Sequence, residues 1–383
     1  MRRSLEGHLH GGDPARDLAR FGLGPRQVRD FSVNLSPLGP PPKIRELWPE
    51  LWRLVEGYPS LDGAGVRAFY HERFGLPADR VLAGNGATEL IYLAPRALGL
   101  ERVAYLPPAY DDYRRATELA GAEAIPIVRS DPLITPEAEL LDQGLDSADA
   151  LFVGQPNNPT GALLDPLILR RLARAHPKKW LLVDESFIQF TDDFPQTSLA
   201  LQTSPARADS ISDPLDHALP ENVVVFHSLT KFYALAGLRL GAAIATPETL
   251  ARLRAVKEPW TVNAIADRVA RELASCRTYE RRVRHLVREE RARLSQRLST
   301  FDGVDLQPGS ANFLLARWTL SPLDELLRDL LQDGICVRDA RNFQGLEDGW
   351  FRLAVRGHDD NSHLLASLKR LTRQPGIGSE SER

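Results

Sequence analysis

The sequence predicts an α/β fold: a large domain with a mainly parallel sheet flanked by helices, plus a smaller α+β domain. Three observations carry this expectation. From about Glu46, helix, turn and short apolar strand patterns alternate, the rhythm of parallel-sheet units. Asn222-Val223-Val224-Val225-Phe226 reads as a buried strand because most of its residues are apolar and β-branched. A length of 383 residues suits one large and one small unit. The expected division is an N-terminal arm with part of the small domain over 1–45, the large domain over 46–260, and the small C-terminal domain over 261–383.

Composition narrows the functional classes. Apolar residues make up 43% and charged residues 26%, ordinary values for a globular protein. A formal net charge of −3 gives no reason to expect nucleic acid or an anionic membrane as partner. Cys276 and Cys336 stand far apart, which suits neither a disulfide framework nor a metal site and fits a reducing cytoplasm. No apolar run approaches the roughly 20 residues that span a bilayer. Met1-Arg2-Arg3 runs into polar residues, so a signal peptide is not expected and a cytoplasmic location is.

In chain order, the arm opens on His8-Leu9-His10-Gly11-Gly12, where glycines free backbone amides and His10 is a donor, a candidate anion nest. A short helix is expected near Ala15–Phe21. Asp30 to Pro42 reads as extended, the prolines at 40 to 42 forbidding a helix there. A helix follows over Gly65–Phe74. Val81 to Leu90 then gives strand, glycine-rich turn (Gly86) and helix start, whose free amides suit a phosphate. Further strands at Val103–Leu106 and Leu151–Gly154 lead to Tyr110, an aromatic able to stack on a planar ring, and to Asn158. The strand Lys179–Val183 ends in Asp184-Glu185, at the sheet edge where open α/β folds bind ligands. Residues 191–221 read as a long loop, and basic but charge-mixed helices follow Pro259. Ser310–Leu315 precedes an expected helix near Leu323–Gln332, and Gly334–Asp339 and Trp350–Arg356 are expected strands after it. Arg338 and Arg352 alternate there with apolar neighbours, so both can face a cleft as carboxylate or phosphate forks. The 374–383 tail is expected to be disordered.

The chemistry centres on the stretch after the buried strand. Ser228, Thr230 and Lys231 come just past its end, with Arg239 eight residues on in Gly237-Leu238-Arg239-Leu240-Gly241. One lysine can condense with an aldehyde, while two hydroxyls and an arginine can gather on a dianionic phosphate. That set suits pyridoxal 5'-phosphate. Asp184 could keep the ring nitrogen protonated, and Asn158 could bond the ring's phenolic oxygen.

Together these segments, over roughly Asp30 to Leu371, resemble the fold-type I pyridoxal-phosphate enzymes of the class I and II aminotransferase family, in its histidinol-phosphate aminotransferase-like branch. The resemblance implies that Lys231 binds the cofactor aldehyde, Asp184 pairs with the pyridine nitrogen, Tyr110 stacks on the ring and Asn158 contacts its oxygen. It also implies that Gly86, Ala87, Thr88, Ser228, Thr230 and Arg239 hold the phosphate, with Tyr58 reaching it from the partner of a homodimer. Lys231, Asp184 and Tyr110 are the expected catalytic set.

Within the branch, His10-Gly11-Gly12, the Asp30-Phe31-Ser32-Val33-Asn34 segment and Phe187, where most relatives carry tyrosine, resemble the threonine-phosphate decarboxylases of cobalamin biosynthesis. Leu35-Ser36 departs from the Ile-Asn of that group. The implied reaction is decarboxylation of L-threonine O-3-phosphate to (R)-1-aminopropan-2-yl phosphate. His10, Gly11, Asn34, Asn158, Arg338 and Arg352 are the expected substrate contacts. The alternatives are a histidinol-phosphate or related aminotransferase and a ligand-sensing module on the same fold. Against a sensor stands the joint presence of Lys231, Asp184, Asn158 and Arg239.

Overall fold

The computed structural model describes residues 11–129, 131–201 and 219–373. His10, most of the 191–221 loop and the 374–383 tail lie outside the described residues. Thirteen strands are assigned among those described. They are β1 (Arg29–Asp30), β2 (Val81–Asn85), β3 (Arg102–Tyr105), β4 (Glu123–Pro126), β5 (Ala150–Gly154), β6 (Trp180–Asp184) and β7 (Val223–Ser228). After them come β8 (Leu240–Ile244), β9 (Val304–Gln307), β10 (Phe313–Trp318), β11 (Ile335–Cys336), β12 (Arg338–Asp339) and β13 (Trp350–Ala354). The helices are α1 (Pro14–Arg20), α2 (Pro42–Leu51), α3 (Ala64–Phe74), α4 (Gly86–Leu98), α5 (Asp112–Leu119), α6 (Ala138–Ser147) and α7 (Pro166–Ala175). The remainder are α8 (Leu229–Phe232), α9 (Pro247–Val256), α10 (Ala264–Leu273), α11 (Arg277–Leu298), α12 (Leu323–Gln332) and α13 (His358–Leu371).

The main sheet has seven strands in the order β2-β8-β7-β6-β5-β3-β4, all parallel except β8. Its central strands are buried on both faces. Leu82, Phe152, Leu182 and Val224 pack with α4 and α9, while Val81, Leu151, Val183 and Val225 pack on the opposite side. Parallel strands bring their carboxyl ends to one edge, and the lone antiparallel strand β8 starts at that same edge. Residues from five strand ends and from the turn before β8 are therefore gathered along one rim.

A second, antiparallel sheet has the order β12-β13-β10-β9, and β1 pairs in parallel with β11. The arm is thus stitched to the last third of the chain. The Ala354 N–H also donates to the Phe31 carbonyl at 2.9 Å.

Two expectations about the backbone are corrected. A helix does begin within the proline run: Pro42 opens α2, where a missing N–H costs nothing because first-turn amides have no partner inside a helix. Gly334–Asp339 is not one strand but two short ones interrupted at Val337, which belong to different sheets.

Candidate active site

Around the carboxyl rim of the main sheet lies a cleft of roughly 600 Å³. Its walls include Ala87 and Thr88 from α4, Tyr110 after β3, Asn158 after β5, Asp184 at the end of β6, Ser228 at the end of β7, and Thr230 and Lys231 just after it. Arg239, Arg338 and Arg352 complete the cationic part, and Gly11 and Ser32 to Asn34 come from the arm.

The turn between β2 and α4 is shaped for close backbone approach. Gly86 has φ +78°, and its N–H donates to the Arg239 carbonyl at 3.0 Å. A methyl group at Gly86 would lie 2.6 Å from the Arg239 guanidinium, and one at Gly241 would lie 2.2 Å from the Ala87 nitrogen. Only glycine at both positions lets the arginine turn sit against the start of α4. Arg239 itself adopts φ +58°. Ser228 and Thr230 hydroxyls are 2.7 Å apart and buried. Two hydroxyls, the first-turn amides of a thirteen-residue helix and an arginine could together hold a phosphate group.

Asp184 is buried, so its carboxyl is pushed above the ordinary carboxylate range. Hydrogen bonds favouring the ionised form oppose this. The Ser186 hydroxyl donates at 2.5 Å, the Tyr113 hydroxyl at 2.7 Å and the Ser186 N–H at 3.0 Å. Its neighbour Glu185 points the other way, to His227 at 2.7 Å and to the Ser198 hydroxyl and Leu199 N–H of the following loop. Burial, aided by the charges of Arg239 and Arg352, lowers the Lys231 amine to about 8.

On the small-sheet side, Arg338 and Arg352 are register partners on β12 and β13, both more than nine-tenths buried. Arg352 donates to the Asn158 side-chain oxygen and, at 3.0 Å, to the Ser32 carbonyl. Burial lowers it to about 9, with the charge of Arg338 adding to the effect. The guanidinium also stands 5.3 Å from the ring of Phe313, against which Phe187 packs edge-on. Arg338 donates to Asn342 at 2.8 Å. The Nε of Arg352 and the Oδ1 of Asn34 are buried and carry no hydrogen bond among the described residues.

The cleft therefore brings together the expected Lys231, Asp184, Tyr110, Asn158, Ala87, Thr88, Ser228, Thr230, Arg239, Gly11, Asn34, Arg338 and Arg352. Gly86 acts from behind, as the close-approach point of Arg239. Tyr58 is not in this chain's own cleft; it is 86% exposed and rests on Trp260 with ring centres 5.2 Å apart. Sequence reasoning missed Tyr113, Ser186, Tyr92, Asp112 and Arg115. Tyr113 lies one helical turn beyond Tyr110, and Ser186 stands two residues after Asp184, where a hydroxyl can close an Asx-type turn. Those spacings were the available signals.

Residues 29–368 match the model of the family described as aminotransferase class I and II. The chain belongs to this family. It is 32% identical to the threonine-phosphate decarboxylase of Salmonella typhimurium, across 96% of this chain and 97% of that one. It is 33% identical to the histidinol-phosphate aminotransferase of Symbiobacterium thermophilum, across 94% of each. Among solved structures, the histidinol-phosphate aminotransferase of Clostridium acetobutylicum superposes with a TM-score of 0.80 at 26% identity, over 89% of this chain and 98% of that one. Enzymes of this family depend on pyridoxal phosphate. The residues present fit that group: a half-buried lysine of lowered basicity, an acid at the end of β6, and glycine-shaped backbone, hydroxyls and an arginine that could hold a phosphate.

Proposed function

We propose that this chain decarboxylates L-threonine O-3-phosphate to (R)-1-aminopropan-2-yl phosphate with pyridoxal phosphate, as a step of cobalamin biosynthesis. The observation that carries the reading is the pair Arg338 and Arg352, buried side by side on one wall of the cleft. A small amino acid with a carboxylate and a phosphate needs two anion anchors, and a guanidinium fork suits each of them. Similarity to decarboxylases over nearly the whole chain supports the same choice.

In this reading Ala87, Thr88, Ser228, Thr230 and Arg239 would hold the cofactor phosphate, and Tyr110 would stack on the ring. Asp184, whose ionised form Tyr113 and Ser186 favour against its burial, would pair with the ring nitrogen, and Asn158 would bond the ring oxygen. When bound, the cofactor supplies an electron sink for the bond broken at the substrate α-carbon. Which bond breaks depends on which one the protein holds perpendicular to the ring. Arg352 grips the carboxylate, its fork oriented by Asn158 and the Ser32 carbonyl, while Arg338, Gly11 and Asn34 grip the substrate phosphate. Two fixed ends leave one rotation, and a misplacement of about 1 Å can cost on the order of a hundredfold in rate. Lys231 then returns a proton to the α-carbon after carbon dioxide leaves. No keto acid is required.

We divide the chain into a large domain over about 46–260 and a small domain formed from 1–45 and 261–383. We also propose a homodimer. Trp48, Trp52, Val55, Leu61, Tyr58 and Trp260 are exposed apolar side chains, and the last two pack on each other. A patch of this kind marks an interface, and it would bring Tyr58 to the partner's cofactor phosphate. Sedimentation of the holoenzyme as a monomer at micromolar concentration would exclude that arrangement. No helix among the described residues is long and apolar enough to cross a membrane, and two free buried cysteines support a cytoplasmic setting.

The assay for the proposed reaction is carbon dioxide release from threonine phosphate with no 2-oxoglutarate present. Silence there, with glutamate-dependent conversion of imidazole-acetol phosphate to histidinol phosphate, would replace the decarboxylase with an aminotransferase.

A further inference from the structure

Arg115 lies on the cleft wall, half-buried, on α5. That places it on the main-sheet side, whereas Arg338 and Arg352 come from the antiparallel sheet. Helical spacing offers it three carboxylates: Asp111, Asp112 and Glu118, at four and three residues before it and three after. All three are already engaged. Asp111 and Glu118 both bind Arg114, at 2.9 Å and 2.8 Å. Asp112 is buried and accepts from the Tyr92 hydroxyl at 2.5 Å and from the Tyr110 hydroxyl.

Among the described residues the Arg115 guanidinium makes no hydrogen bond or ion pair. The other cleft arginines do: Arg239 with the Ala236 carbonyl, Arg338 with Asn342, and Arg352 with Asn158 and Ser32. Among the described residues, five basic side chains face this cleft against two acidic ones, Asp112 and Asp184, in a chain whose formal net charge is −3. The positive field is thus local to the cleft, where low-dielectric walls concentrate it and raise the capture rate of anions.

We propose that Arg115 is an anion-capture residue for phosphate monoesters, engaging the dianionic phosphate as a ligand enters and before it reaches Arg338. A guanidinium whose neighbouring carboxylates are occupied by other donors keeps its charge available to solvent-borne anions. The tie of Tyr92 to Asp112 holds the adjacent wall in place, so no acid of α5 swings round to quench it. The inference rests on the reading of the cleft as a site for phosphorylated amino compounds. It does not depend on which reaction follows.

The test uses the holoenzyme and follows the visible cofactor band by stopped flow on mixing with threonine phosphate, histidinol phosphate, threonine and histidinol. With Arg115→Ala, association rates for the two phosphate esters should fall about tenfold at roughly 0.01 M ionic strength and converge on wild type near 1 M, where screening lengths shrink to about 3 Å. The unphosphorylated compounds should bind at wild-type rates, and Arg115→Lys should stay within about twofold of wild type because the charge is kept. Unchanged association at low salt would overturn the proposal, as would an equal loss for phosphorylated and unphosphorylated ligands. If wild type releases no carbon dioxide from threonine phosphate but histidinol phosphate shows the Arg115 dependence, the proposed reaction fails and the capture role stands.

Discussion

Ser36 and Lys231 are joined main chain to main chain, the Ser36 N–H donating to the Lys231 carbonyl across 3.0 Å. The arm that carries Ser32, Val33 and Asn34 into the cleft is thereby fixed to the lysine opposite them. Tyr279 reinforces the joint from α11: its hydroxyl lies 2.6 Å from the Gly39 carbonyl, 3.1 Å from the Ser36 hydroxyl and 3.3 Å from the Phe232 carbonyl. Tyr279→Phe removes that donor at no cost in volume. A loss of about 1–3 kcal/mol in unfolding free energy is expected by urea titration. A several-fold rise in KM for the phosphorylated substrate should accompany it, because Asn34 loses its fixed distance from Lys231. A stability loss with unchanged KM would limit Tyr279 to a packing role.

Tyr113→Phe tests the control of Asp184. Burial raises this carboxyl, and the Tyr113 and Ser186 hydroxyls hold it down. Removing the phenol favours the protonated form, so the acid limb of the kcat profile should move to higher pH. At neutral pH a loss of roughly tenfold is expected from one charge-assisted hydrogen bond. An acid limb that stays put would mean that a group other than Asp184 sets it.

Lys231 supplies a pH dependence of its own. In the apoprotein its amine is lowered from 10.5 to about 8 by burial and by Arg239 and Arg352. The rate of reconstitution with pyridoxal phosphate should therefore rise with pH through about 8 rather than near 10.5. The stability effect follows the same sign. Between about 8 and 10.5 the unfolded chain holds a proton that the native lysine does not, so apoprotein stability rises with pH across that window. Below about 8 the buried charge costs the native state on the order of 3 kcal/mol. Lys231→Met apoprotein should recover much of that in thermal melts at pH 7 while forming no covalent visible band with the cofactor. A melting temperature unchanged by the substitution would contradict the burial argument.

Arg338→Ala separates the two anion anchors. Threonine phosphate should bind about tenfold to a hundredfold more weakly, the value of one or more charge-assisted hydrogen bonds, with little change for threonine. The KM for threonine phosphate and the inhibition constant of threonine against it measure the two. Equal losses for the two ligands would assign Arg338 to the shared carboxylate.

What the sequence disclosed is what local spacing encodes. Ser228, Thr230, Lys231 and Arg239 lie within one short stretch from the end of β7 to the start of β8, so their convergence follows from one connection. Strand ends were legible because runs such as Val223 to Phe226 have no other place than a buried sheet. The proline run misled: Pro42 is compatible with a helix at its first position only, which composition alone does not distinguish from extended chain. The wiring behind the site was hidden because it is non-local. Tyr92 meets Asp112 across two helices, and Tyr279 meets Ser36 across more than 200 residues. Arg115 was illegible for a different reason. Its neighbours Asp111 and Glu118 predict ordinary helix-surface ion pairs, and only the structure shows that Arg114 has taken both.

The most direct measurement of the central claim uses threonine phosphate labelled at the carboxyl carbon, incubated with the holoenzyme and no keto acid. The account requires the label to leave as carbon dioxide over many turnovers, in step with one equivalent of aminopropanol phosphate. Retention of the label, with a single half-turnover that restarts only when a keto acid is added, would contradict it.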